Sequence, residues 1–116
     1  MSIFIDKHEL AEKKDVNAIK SSMIPLNIAS TNENLYDDRF KNSPQMRSYI
    51  GDAANTIQEN PFGMGVWFFA LYFVINGGGN LIVIDTYNHI KIKALNHGDY
   101  DKKWTVISTT AESGGK

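Results

Sequence analysis

The chain has 116 residues, 12 basic and 13 acidic side chains and a formal net charge of −1. A chain of this length predicts about one domain that buries roughly two-thirds of its unfolded surface. Its 42% hydrophobic and 22% charged residues exclude the composition of a disordered protein. The absence of cysteine excludes disulfides, thiolate zinc sites and cysteine nucleophiles.

The near-zero net charge provides no field that would steer the protein toward nucleic acid or anionic lipid. We therefore expect neither a nucleic-acid nor a membrane partner. The expected organisation is a single domain, 1–116, with frayed ends at 1–6 and 111–116.

The N-terminal segment carries only a short apolar run, Ile3-Phe4-Ile5, before charges begin. A signal peptide needs roughly 7–15 apolar residues there, so we expect a chain that is not exported by that route and a cytoplasmic location. Asp6 and Glu9 have the spacing of a capping box. An imperfect helical stripe follows and predicts a helix over 7–22: Leu10, Val16, Ile19 and Met23.

The next segment, 27–42, is rich in Asn, Ser, Thr and Asp and predicts a loop. Ser43 then places a capping hydroxyl before Pro44, which fits the first position of a helix. Apolar side chains recur behind it at spacings of three and four, namely Met46, Ile50, Ala53, Ala54 and Ile57. This pattern predicts an amphipathic helix over 44–59.

The stretch 61–84, PFGMGVWFFALYFVINGGGNLIVI, has no charge and allows three interpretations. A membrane span needs about 20 apolar residues in a row, and three glycines with two asparagines interrupt this one. A buried helix over 61–75 could start at Pro61 and end at Asn76-Gly77. A hairpin with the five-residue loop NGGGN explains the aromatic and β-branched content better, and we favour it.

The first strand of that hairpin would be apolar on both faces, which predicts a central strand covered on both sides. After the loop, alternate residues differ sharply in polarity. One parity is expected to be buried and comprises Ile82, Ile84, Ile90, Ile92 and Ala94. The other is expected to be wet and comprises Asp85, Tyr87, His89, Lys91 and Lys93.

A turn over 96–99 and a third strand over 104–110 complete the prediction. The expected fold class is α+β, with N-terminal helices packed on an antiparallel sheet of three or more strands from the C-terminal half. A helical first half followed by long strands ending in KWTVIST, residues 103–109, resembles the cone-shaped helix-on-sheet domains of the nuclear-transport-factor-two-like class. That likeness implies an alternative fold, and the buried helix at 61–75 implies another.

No motif in the chain assembles a catalytic site. His89 has no assigned partner, and a turn explains the cluster His97, Asp99 and Asp101 better than a metal site does. The three glycines of 77–79 match neither a dinucleotide fingerprint nor a P-loop. We therefore expect no catalytic residue, no metal and no cofactor.

A protein that acts by binding another protein needs no motif, only a folded surface. The sequence therefore predicts a non-enzymatic protein-binding module, such as an inhibitor, an immunity-type protein or a phage-encoded accessory protein. The alternatives are a small-ligand-binding domain with an apolar pocket lined by the 64–75 strand and, less favoured, a small metal-dependent hydrolase. The predicted partner contacts are Tyr36, Asp37, Asp38, Tyr87, His89, Lys91, Lys93, Asp99 and Asp101.

Self-association is a further expectation. The predicted helices leave part of the two-faced strand without an intramolecular cover. The residues in excess would be Trp67, Phe69, Leu71 and Phe73. A homodimer that buries them would resolve this exposure.

Overall fold

The computed structural model describes residues 24–112, and most of the ordered backbone in that range belongs to one mixed sheet. Its seven strands are β1 (Leu26–Ile28), β2 (Gln45–Tyr49), β3 (Phe68–Ile75), β4 (Gly78–Asp85), β5 (Ile90–Asn96), β6 (Asp99–Tyr100) and β7 (Thr105–Ile107). One short helix, α1 (Asp52–Thr56), and one 3-10 turn (Asp38–Phe40) lie between them.

The strand order is β1-β2-β3-β4-β5, and only the β1–β2 pair is parallel. The outer edge of β5 is shared by two short strands. Its first half pairs with β7 and its last two residues pair with β6. The centre of the sheet is therefore the β3–β4 hairpin, the longest pair of strands in the described chain.

That hairpin confirms the favoured interpretation of 61–84, and the buried helix at 61–75 is wrong. Ile75 pairs with Gly78, so the loop is only Asn76 and Gly77. Both have positive φ, 49° and 79°, as a two-residue turn that matches strand twist requires. The five-residue loop is also wrong, because Gly78 and Gly79 already belong to β4. Within 24–112, no helix has the length and apolar content to cross a bilayer.

The predicted helix over 44–59 is wrong as well. Its first part is β2, and only five residues form α1. Gly51, at φ 56°, has neither strand nor helix conformation and separates the two elements. The sequence does not reveal this strand, because its side toward the core carries Arg47 and Tyr49 rather than aliphatic residues. Those polar groups find their partners only in the folded chain, so the sequence shows no alternation.

Within 24–112, the α+β fold with N-terminal helices on an antiparallel sheet is therefore corrected to a mixed, mostly antiparallel sheet with one short helix. The nuclear-transport-factor-two-like alternative is wrong for the same reason: α1, the one α-helix of the described residues, has five residues and is too short to lie across the sheet. The helix predicted over 7–22 lies outside the described residues.

One face of the sheet, the covered face, carries the core. Its fully buried side chains include Phe68, Ala70, Tyr72 and Val74 of β3 and Leu81 and Val83 of β4. The layer above them comes from the loop before β2 and from α1 with the residue that follows it, through Leu35, Phe40, Ala53 and Ile57. The Tyr72 hydroxyl donates to the Leu35 carbonyl at 2.7 Å, which ties this layer to the middle of β3.

A buried ion pair holds the loop on the sheet. The Arg47 guanidinium donates to both carboxylate oxygens of Glu33, at 3.1 and 2.6 Å. The Tyr49 hydroxyl and the backbone N–H and hydroxyl of Ser30 complete the shell of Glu33. Burial raises the pKa of Glu33, but the hydrogen bonds from Arg47 and Ser30 outweigh it and hold that pKa below the ordinary value of 4.5.

Replacing this carboxylate tests its contribution. Glu33→Gln leaves the Arg47 charge buried without a counter-ion, so we expect a loss of about 3 kcal/mol in the free energy of unfolding at pH 7. A folded pKa below the unfolded one stabilises the protein above pH 4.5 and ceases to do so as the pH falls through the folded value. Urea unfolding at pH 7 and at about pH 3 should therefore show the two proteins converging in acid. An equal gap at both pH values would contradict this role.

Gly79 is a position where the structure leaves no room for a Cβ atom. At φ 134°, a Cβ there would run into the carbonyl oxygen of Phe73, a backbone atom that cannot rotate away. We expect Gly79→Ala to destabilise the protein by at least about 1–3 kcal/mol, the cost of such a backbone conformation without the clash. Gly78→Ala is the matched control, since a Cβ at position 78 would lie an ordinary 3.8 Å from the carbonyl oxygen of Ile75. Equal urea midpoints for the two variants would refute this account.

Candidate functional site

The opposite face of the sheet, here called the open face, has no covering layer among the described residues. Its members alternate with the core residues and are Leu26, Ile28, Met46, Ser48, Phe69, Leu71, Phe73, Ile75, Asn80, Ile82, Ile84, Ile90, Ile92, Ala94, Asn96, Asp99, Thr105 and Ile107. Phe69 and Phe73 are 43% and 47% exposed although they lie on a central strand. Such exposure of large side chains marks an interaction surface more often than a solvated one.

The pairing register makes this face continuous. Leu71 lies opposite Ile82, which lies opposite Ile92, so three central strands contribute one apolar row. Leu26 and Ile28 extend the face at one edge and Ile107 at the other. With about 200 Å² for a fully exposed large apolar side chain, the six most exposed members leave on the order of 600 Å² in water.

Asp99, at the end of the sheet, is the only charged member of the open face among the described residues. The other charged residues of 24–112 lie on loops, edges and the covered side. A surface that large and that free of charge cannot discriminate partners by ion pairs. It can recognise only shape and apolar area.

All four residues predicted for self-association share the side of the open face. Phe69, Leu71 and Phe73 are members of it, and Trp67 has the same parity one residue before β3, with 49% of its surface exposed. The structure thus places the predicted set together. Whether a second copy binds there is a separate question.

The expectation for the later strands had the two sides reversed. Ile82, Ile84, Ile90, Ile92 and Ala94 were expected in the core and lie on the open face. Asp85 and Lys93 were expected in water and are 6% exposed. The alternation itself was correct, but a lysine stem can cover apolar surface, so polarity alone did not identify the inner side.

Lys93 lies in a cage of aromatic rings. Its Nζ is 4.4 Å from the Tyr36 ring centroid and 4.9 Å from that of Trp104, and it donates to the Tyr36 hydroxyl at 2.7 Å. None of the ion pairs between described residues includes it. Burial lowers the pKa of Lys93, which Glu59 and Asp101 offset only in part. Burial and the charge of Glu59 raise the pKa of Tyr36 to about 12.

His89 does have a partner, which the sequence analysis missed. The Asp85 carboxylate lies 2.7 Å from Nδ1 of His89 and accepts the backbone N–H groups of Tyr87 and His89. Burial raises the pKa of Asp85, but these hydrogen bonds outweigh it and lower that pKa overall. The available signal was Asp followed four residues later by His across a tight turn, where Asn88 has φ 67°.

This pair orients an imidazole, as a general base requires, and the imidazole is 66% exposed. It borders a cleft of about 400 Å³ lined by Phe62, Val66, Asp85, Tyr87, His89, Lys91, Val106 and Ile107. That lining contains no serine, threonine or cysteine that the imidazole could activate. The arrangement closes the β4–β5 turn and offers one hydrogen-bonding group to a ligand.

The predicted partner contacts fall into separate groups. Tyr36, Lys93, Asp99 and Asp101 line a cleft of about 570 Å³, and Tyr87, His89 and Lys91 line the cleft beside Asp85. Asp37 caps the 3-10 turn and pairs with Arg39, and Asp38 begins that turn and pairs with Lys41. The Lys91 ammonium donates to the Pro61 carbonyl at 2.6 Å, so this side chain holds a loop in place.

The proposed ligand pocket along 64–75 has little room on the covered face, because Phe68 and Tyr72 are buried there. Met64 and Trp67 instead line a shallow cleft of about 420 Å³ outside the core. Within 24–112, no three His, Asp or Glu side chains come together as metal ligands would. No family model, curated protein or solved structure matches the chain.

The burial of Lys93 in this cage predicts how its replacement changes the free energy of unfolding. Since burying an unpaired ammonium is costly, Lys93→Met should keep the free energy of unfolding at pH 7 or raise it by about 1 kcal/mol. A folded pKa below the ordinary 10.5 means that the unfolded state binds more protons in between, so wild-type stability rises with pH in that window. The variant should lack this rise. Urea unfolding at pH 7 and at about pH 10 measures both effects.

The control for that experiment is Lys102→Met, which removes an exposed charge of the same kind. It should change the free energy of unfolding by less than about 0.5 kcal/mol. A loss of several kcal/mol in Lys93→Met would instead mean that the ammonium itself supports the fold.

Proposed function

We propose that this chain is a non-enzymatic protein-binding module that uses the open face as its binding surface. The observation that carries the proposal is the uncharged apolar row across the central strands, with Phe69 and Phe73 protruding from it. Large aromatic side chains on rigid strands are typical anchors of protein interfaces.

The shape of the surface favours a protein over a small ligand. A ligand site is usually concave and encloses most of its ligand, whereas the open face is one side of a sheet several strands wide. A polypeptide partner with an apolar sheet or helix face can match that width. Nucleic acid is disfavoured because the face has no lysine or arginine to meet phosphates.

A catalytic role has less support. Asp85 and His89 form the best-oriented pair of titratable groups near a cleft, but that cleft is lined by no serine, threonine or cysteine, and its lysine, Lys91, already donates to the Pro61 carbonyl. Inhibitors, immunity-type proteins and phage-encoded accessory proteins act by occupying a partner, so they need no such group. We place the chain in that broad class.

The cleft lined by Tyr36, Asp99 and Asp101 is a second proposed contact. Four of the predicted contact residues converge there, with Glu59 and Lys102 at its rim. Its own lysines already occupy the faces of the aromatic rings, since Lys41 lies over Tyr100 and Lys93 over Tyr36. This contact therefore ranks below the open face.

Site-specific photocrosslinking tests the open face. Benzoylphenylalanine in place of Phe73, in the full chain in its native host cell, should form a covalent adduct with one polypeptide, which mass spectrometry would identify. The same probe in place of Gln58, an exposed residue after α1 that belongs to none of the predicted contacts, is the matched control. Purified partner should then bind Phe73→Asp at least about tenfold more weakly than wild type.

Two results would reject the open face as the binding surface. One is the absence of any adduct from position 73. The other is the same set of adducts from positions 73 and 58, which would indicate random collision.

A further inference from the structure

We infer that the polypeptide on the open face is a second copy of this chain, packed sheet against sheet about a two-fold axis. The inference rests on the proposed function, because it names the occupant of the same surface. Three properties of the face support a copy of itself: the lack of charge along its central row, its area and the position of its largest side chains.

Charge is the first argument. In an isologous contact, each patch meets the same patch, so a charged surface must arrange its signs symmetrically to avoid repulsion. The apolar row across β3, β4 and β5 has no sign to arrange, since the one charged member of the face, Asp99, lies at the end of the sheet. It is therefore complementary to itself, whereas a dissimilar partner would commonly add ion pairs to gain specificity.

Area is the second argument. A stable interface buries about 800 Å² on each partner. The six most exposed members of the open face provide on the order of 600 Å². Leu71, Ile82, Ile84, Ile90 and Ile92 are each partly exposed and add to that figure. The face thus has the size that a homodimer needs, with an apolar content close to that of a domain core.

The third argument is where the anchors lie. Phe69 lies on β3 between Ser48 of β2 and Ile84 of β4, and Phe73 lies on the same strand, opposite Asn80 and just past the last residue that pairs with β2. Energetically dominant residues cluster near the middle of an interface, where surrounding contacts exclude water. Two such faces stack about 10 Å apart as the sheets of a sandwich do, and the phenylalanines of one copy then fill gaps in the other.

Light scattering over a concentration series tests the inference on the full chain. We expect a mass twice the 13.0 kDa of one chain at about 100 μM, well above micromolar affinities. Phe73→Asp should weaken dimerisation at least about a hundredfold, because each dimer carries the substitution twice on its contact face. Tyr87→Asp is the control, since it makes the same kind of change on an exposed turn and should leave the dimer intact.

Phe73→Thr guards against a folding defect, because threonine is polar yet favours strands. Circular dichroism establishes that each variant keeps the sheet. The chain has no cysteine, so single substitutions along the central row, Leu71→Cys, Ile82→Cys and Ile92→Cys, report contacts between copies without background. At least one should form an intermolecular disulfide on mild oxidation, and Tyr87→Cys should not.

A monomer across the whole concentration range overturns the inference. A dimer that survives Phe73→Asp and Phe73→Thr but is broken by Tyr87→Asp overturns it as well. A monomer that still crosslinks to a different protein through position 73 would refute the second copy and leave the proposed function standing. A monomer with no adduct at that position would refute both.

Discussion

The pair between Glu33 and Arg47 determines which side of the sheet becomes the inside. Glu33 belongs to the loop before β2, and Arg47 projects from β2 itself. Their two hydrogen bonds clamp that loop against the strand and bring Leu35 and Phe40 over the sheet. Arg47 also lies 4.3 Å from the Phe40 ring centroid, so the same side chain joins the polar network to the core. Breaking a buried pair of this kind leaves an uncompensated charge, which the fold tolerates poorly.

The position of this loop also determines which face of the sheet stays uncovered. The layer formed by the loop, α1 and the segment after it covers the face of Phe68 and Tyr72. On the same face, Tyr36 of that loop and Trp104, which precedes β7, enclose Lys93. The alternate residues of the same strands are left without a cover among the described residues. The apolar side chains there are strand formers with high β propensity, so they are compatible with the backbone whether or not water is excluded.

The Asp85–His89 pair resembles part of a catalytic site, although it has a purely structural explanation. Many catalytic sites contain a carboxylate that orients an imidazole. Here the same carboxylate also accepts two backbone N–H groups and so closes a turn. The turn explains every one of those contacts without a substrate. The open face has no such explanation, because nothing in the local backbone requires Phe69 or Phe73 to be aromatic. For this reason the binding proposal rests on the sheet and not on the histidine.

The sequence by itself determined the β3–β4 hairpin, the alternation along its strands and the two-faced apolar character of β3. These features depend on neighbours in the chain: Asn76 and Gly77 accept positive φ, and a period of two needs no distant partner. Only the tertiary structure decided that 45–49 is a strand and that Lys93 lies inside. Both depend on contacts between residues far apart in the chain, Arg47 with Glu33 and Lys93 with Tyr36. A polar residue shows in the sequence that it needs a partner, but not where that partner lies, and so which face is buried was settled only on folding.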